Sequence, residues 1–134
     1  RTSALDGVAL GLPAALRAQK LQKRAARVGF DWPDAERVLA KLDEEVGELK
    51  EAVAEKSSDE IEDELGDLLF VNVNLVRKLG FDAEEILKKA NAKFTRRFQA
   101  MEMLCAERGL VFADLRLSEQ ESLWVEVKNR EREV

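Results

Sequence analysis

The sequence predicts an all-α protein with a four-helix-bundle-like core and an additional C-terminal helix, on three observations. Apolar residues recur at spacings of three and four along most of the chain, and strand-type alternation is sustained nowhere. Both prolines and most of the 7 glycines fall between these periodic stretches. Hydrophobic residues make up 46% of the 134 positions and charged residues 37%, the balance of a helical globular chain.

The elements follow in order. Residues 1–13, with Gly7, Gly11 and Pro13, read as a linker or tail, and residues 14–134 as one domain. The chain opens on Arg1 rather than Met, which fits a piece of a longer protein. Pro13 suits a helix start and Gly29 a helix stop, so a basic helix spans Ala14 to Val28, carrying Arg17, Lys20, Lys23, Arg24 and Arg27. Phe30-Asp31-Trp32-Pro33 forms a turn whose aromatics are expected to pin it to the core. A second helix runs from near Asp34 to about Lys56 on the stripe Val38, Leu42, Val46, Leu49, Val53.

Ser57 and Glu60 match a capping box and open a third helix that ends at Leu79 before Gly80. Asp82 caps a fourth, which continues to Arg108 before Gly109, and Ser118 with Glu121 opens a fifth that runs through Trp124. Short links between these helices favour antiparallel neighbours. The third helix is apolar around most of its circumference, with Phe70 and Val73 projecting away from Ile61, Leu68 and Leu75. It is therefore expected to be central or to face a second subunit, and the chain to be a homodimer.

Composition narrows the chemistry. With no histidine, Ser-His-Asp and Cys-His catalysis and His-ligated zinc are excluded. The single cysteine, Cys105, excludes an intrachain disulfide and reads as a small core residue. A net charge of −5 argues against nucleic acid as the main partner. No apolar run approaches the length of a membrane span and no signal peptide is visible, so a cytoplasmic location is expected.

What remains is carboxylates, cations and amides. At about 100° per residue, Lys41, Glu44, Glu45 and Glu48 share an arc of the second helix, and Glu64, Asp67, Val71 and Asn74 share a face of the third. Antiparallel packing would bring four or five carboxylates together, and like charge in a partly buried place is strongly repulsive. A hard divalent cation relieves it, and ligation by oxygen alone indicates Mg²⁺ or Mn²⁺. A solvated acidic face is the competing reading of Glu44-Glu45-x-x-Glu48. Against it, Asp67 has apolar neighbours on both sides and no basic partner at i±4, and Gly66 beside it allows close approach.

Glu44-Glu45-x-x-Glu48 followed after fifteen residues by Glu64-x-x-Asp67, with Ala90-Asn-Ala-Lys-Phe-Thr-Arg-Arg-Phe98 further on, resembles the MazG-like nucleotide pyrophosphohydrolases. The resemblance runs from Ala18-Gln-Lys-Leu to Trp124-Val-Glu-Val-Lys128, and the leading Ser-Ala-Leu-Asp-Gly resembles the run into the second domain of tandem members. It implies an all-α enzyme that hydrolyses nucleoside triphosphates between the α and β phosphates. In that family pattern Glu45, Glu48, Glu64 and Asp67 match the magnesium ligands, and Glu44 matches an acid that takes a second metal or orients water. Lys93 and Arg97, one turn apart, and Lys41 beside Glu45 are the candidate phosphate contacts, whereas Arg96 points elsewhere to a surface ion pair. Trp124 and Lys128 are candidates for stacking on a base and reaching a sugar or phosphate, and Asn74 for a ligand hydrogen bond. Glu60 stands where some relatives carry a basic residue. The alternatives are a narrower dUTP- or dCTP-type pyrophosphatase and a nucleotide-sensing module with weak turnover, one half of a chain with an N-terminal sister domain.

Overall fold

A computed structural model describes residues 2–55 and 57–132. Among them are five α-helices and no strand: α1 (Ala14–Arg27), α2 (Ala35–Glu55), α3 (Ser58–Lys78), α4 (Ala83–Glu107) and α5 (Leu117–Arg132), with a 3₁₀ turn at Phe112–Asp114. No helix among the described residues is long and apolar enough to cross a membrane. The chain divides into two compact units, Arg1–Ile86 and Leu87–Val134, and α4 starts in the first and continues into the second.

In the first unit, α2 and α3 form a hairpin whose connection spans only residues 56 and 57, so α3 must double back along α2. The end expected at Lys56 lies outside the described residues. Asp34 caps α2, its Oδ1 accepting the Arg37 backbone N–H at 3.0 Å. Ser57 occupies the N-cap of α3 as expected, but its side chain makes no capping hydrogen bond, so half of the capping-box expectation fails. The buried face of α1 is carried by two amides. Gln22 Nε2 donates to the Phe70 carbonyl at 3.0 Å, and Gln19 bridges the start of α4 by donating to Phe81 O and accepting from the Ala83 N–H. With Val38, Ala52 and Val71 they make a core with an unusual polar share, since Glu45 and Asn74 are buried in it too.

Two aromatic and apolar expectations are corrected here. Phe30 is 78% exposed rather than pinned to the core, whereas Trp32 is half-buried; Asp31 also ties the turn, accepting from Arg77 Nη2 at 2.5 Å and Lys78 Nζ at 3.2 Å. The α3 helix packs against both α1 and α2 but is not covered all round within one chain, because Leu65, Leu69 and Phe70 are all exposed.

The second unit closes on Met101, Leu104, Cys105, Leu123 and Val127, so Cys105 is the core residue its surroundings implied. Gly109 (φ +69°) ends α4 in the left-handed region that other residues avoid. The start of α5 differs from expectation. Ser118 lies inside the helix, with its neighbour Ser122 Oγ donating to its carbonyl, and Glu119 Oε1 reaches back to accept the Arg116 N–H at 3.0 Å. A carboxylate three residues on outcompetes the serine as the terminal partner.

Candidate active site

The hairpin register builds the site. Glu45 and Glu48 on α2 and Glu64 on α3 lie at comparable distances from the turn, so doubling back brings them level. One carboxylate oxygen from each of the three lies within 4.8 Å of the other two. Asp63, Glu64 and Asp67 form a second such group, and Glu64 belongs to both. Glu45 is buried and Glu48 and Glu64 half-buried, while Asp63 and Asp67 are exposed. Asp67 is thus a rim residue rather than the buried aspartate its apolar neighbours suggested.

Beside Asp63 and Asp67 opens a concavity of about 440 Å³, lined also by Asp59, Glu62 and Gly66. A Cβ on Gly66 would meet nothing within 4 Å, so the glycine leaves its space to whatever enters the concavity rather than to a packed neighbour.

Cation supply within this group is short. Lys41 Nζ sits 3.2 Å from Glu45 Oε1 and 3.5 Å from Glu44 Oε1, which accounts for one oxygen of Glu45. Glu45 Oε2 and Glu64 Oε2 are buried and have no hydrogen-bond partner. Buried carboxylate oxygens without partners are costly, and a divalent cation would satisfy two at once. Glu44, predicted with the set, is exposed and, among the described residues, pairs with Lys41. Asn74 is buried, its Oδ1 accepting from Arg77 Nε at 3.2 Å and Nη2 at 2.7 Å.

The remaining candidates belong to the second unit. Arg97 Nε donates to Glu131 Oε2 at 3.0 Å, and its guanidinium lies 5.5 Å from the Trp124 ring centroid. Arg96 makes the longer pair to Glu131, 3.5 Å, as its position on the helix implied. Phe94 stacks on Phe98 and approaches Trp124, each with centroids 5.9 Å apart, so Trp124 is half-buried in an aromatic group. Lys93 is exposed and has no ion pair among the described residues, and Lys128 is half-buried.

Residues 34–101, which contain the entire acidic set together with Lys93 and Arg97, match the MazG nucleotide pyrophosphohydrolase domain. The chain belongs to the MazG family. A nucleoside triphosphate pyrophosphohydrolase of Escherichia coli is 47% identical over 133 residues, covering 96% of this chain and 50% of that protein. The nucleoside triphosphate pyrophosphohydrolase/pyrophosphatase MazG of Thermotoga maritima is 45% identical over 117 residues, 87% of this chain and 45% of its own. The uncharacterized protein YabN of Bacillus subtilis is 42% identical over 98% of this chain but only 27% of its own length. The chain therefore spans about half the length of the first two relatives, and less of the third.

In this MazG domain the crowding leaves an electrostatic mark. Burial, then hydrogen bonding to Glu45 and Glu48 and their negative charge, pushes the Glu64 carboxyl up to about 7. Loss of water, then the charges of Asp63 and Glu45, raises Asp67 as well, with Lys41 opposing. Glu64 released from the fold would titrate near 4.5, so between 4.5 and about 7 the folded state holds a proton that the unfolded chain has lost. The contribution is complete below the lower value and disappears as pH rises through the upper one. In EDTA the melting temperature is therefore expected to fall from pH 5 to pH 8, and Glu64→Gln to flatten the slope. A melting temperature in EDTA that is constant or rising over that window contradicts the crowding.

Asp63 is the residue that motif reading missed. The spacing Asp63-x-x-x-Asp67 puts both on one face of α3, a signal available from helical periodicity but hidden behind the stronger Glu64-x-x-Asp67 pattern.

Proposed function

We propose that this MazG domain hydrolyses nucleoside triphosphates between the α and β phosphates, giving a monophosphate and pyrophosphate, with Mg²⁺ (or Mn²⁺) held by Glu45, Glu48, Glu64 and Asp67. The observation that carries the reading is the pair of buried, unpartnered oxygens, Glu45 Oε2 and Glu64 Oε2, inside a group of carboxylates within 4.8 Å. The donor set is oxygen only, which suits a hard divalent ion, and the names of the two half-matched relatives point to the same reaction class. When bound, the ion supplies phosphate charge neutralisation and a more acidic water, so the missing histidine base is not needed.

The chain's own groups do the rest. Lys41 holds one oxygen of Glu45, fixing the orientation of that carboxylate. Glu44, exposed beside it, would orient the attacking water and accept its proton. Asp63 extends the oxygen set toward the concavity, and Asp63, Glu64 and Asp67 would hold a second ion. Lys93 and Arg97 supply positive charge for phosphate oxygens, where charge builds in the transition state. Trp124 offers a ring face for a base, Lys128 a contact for sugar or phosphate, and Asn74 a ligand hydrogen bond through its amide.

The proposal includes a homodimer with a four-helix-bundle-like core, an N-terminal sister domain in a longer chain, and a cytoplasmic setting. A panel of ribo- and deoxynucleoside triphosphates, assayed with Mg²⁺ and with EDTA, tests it. Turnover of several nucleotides that stops in EDTA is expected. Turnover confined to dUTP or dCTP indicates the narrower enzyme, and activity that persists in EDTA overturns the metal assignment.

A further inference from the structure

A second charged feature lies on α1 and shares no residue with the acidic site. At about 100° per residue, Arg17, Lys20, Lys23, Arg24 and Arg27 fall within an arc of about 120°, beside the Gln19 and Gln22 face that packs inward. Lys20 and Lys23, Lys20 and Arg24, Lys23 and Arg27 are each one turn apart, a spacing at which like charges repel. The chain has 27 acidic residues, yet among the described residues none forms an ion pair with these five cations.

The segment before α1 turns this face into a half-open pocket. Gly7 (φ +90°) reverses the chain, and Arg24 Nη1 donates to the Asp6 carbonyl, tying the segment back onto the helix. Val8 and Leu12 line a cavity of about 390 Å³ together with Lys20, Lys23, Arg24 and Arg27. That volume is in the range of small-ligand sites, roughly 300–1,000 Å³. Unbalanced cations on successive turns, an exposed rim and one pinned guanidinium suit a compact anion with several charges. A long nucleic acid fits less well, because the protein's net charge of −5 opposes it and the cationic surface is a pocket rather than an extended track.

We propose that the pocket between the Asp6–Leu12 segment and α1 is an oligophosphate-binding site, distinct from the acidic site. Because it needs no metal, it can be separated from catalysis. Tripolyphosphate is titrated calorimetrically into the full chain in EDTA, where the carboxylates of the acidic site repel the probe. Saturable binding of one tripolyphosphate per chain is expected, weakening as salt rises. The double variant Lys20→Ala/Lys23→Ala is expected to weaken it by at least about tenfold, as is Arg27→Ala, since charge-assisted contacts are lost. Both lysines are exposed and alanine favours helix, so the variants keep the fold, which their melting curves verify. Glu48→Gln is expected to leave this affinity unchanged. Absence of saturable binding overturns the proposal. So does an equal loss from Lys89→Ala on α4, which marks general surface charge, or tighter binding of a single-stranded RNA oligonucleotide through the same lysines.

Discussion

Glu48→Gln and Asp67→Asn are each expected to lower turnover by on the order of 10²–10⁴-fold while leaving the metal-free fold as stable as the parent or more so. The two halves of this result have one cause. Each substitution keeps the side-chain shape and removes one negative charge from a group in which Glu64 is already pushed up to about 7. Repulsion in the metal-free protein falls, so the melting temperature in EDTA rises or holds. The cation loses an oxygen donor of full charge, so binding and turnover fall together. If instead both variants melt well below the parent in EDTA, the carboxylates serve as structural ion-pair partners and the site assignment is wrong. The Lys41–Glu45 pair gives an internal control, because breaking it strands a buried carboxylate: Glu45 is 4% exposed. Lys41→Met is therefore expected to destabilise the fold, the opposite sign from Glu48→Gln.

The second large effect concerns assembly. Leu65 and Leu69 lie one turn apart on α3, 45% and 68% exposed, on the side of the helix away from the buried Asn74. Covering such side chains is worth roughly 1–2 kcal/mol apiece for the half that remains exposed, counted twice across a two-fold axis. Wild type is expected to elute and scatter light as a dimer, twice 15.1 kDa, at micromolar concentration. Leu69→Glu is expected to shift it to the monomer mass without unfolding it, since position 69 supports little of the single-chain core. A wild-type mass of 15.1 kDa under those conditions shows that one chain suffices and removes the homodimer from the proposal.

Much of this fold was legible because local punctuation decides it. Gly29, Gly80 and Gly109 all adopt positive φ at helix ends, and Asp34 and Asp82 accept the backbone N–H groups of Arg37 and Glu85. These are contacts over three or four residues, which a sequence displays directly. The errors are of a different kind. Phe30 was assigned to the core on hydrophobicity alone, whereas its turn is held by Asp31 reaching Arg77, forty-six residues away. The ion pair of Arg97 with Glu131 on α5, at 3.0 Å, spans thirty-four residues and has no local signal either. The burial of Asp67 was inferred from its neighbours, whereas Gly66 leaves that side open. The acidic site itself was readable because both of its halves are short helical motifs on two helices adjacent in sequence. Asp63 escaped because a motif was matched where a helix face should have been counted.

The central claim is cleavage between the α and β phosphates at the carboxylate site, and phosphorus NMR of the products tests it most directly. With a nucleoside triphosphate and Mg²⁺, the account predicts growth of the pyrophosphate and nucleoside monophosphate resonances in step from the first turnovers, and none in EDTA. Orthophosphate and nucleoside diphosphate as the first products would contradict it.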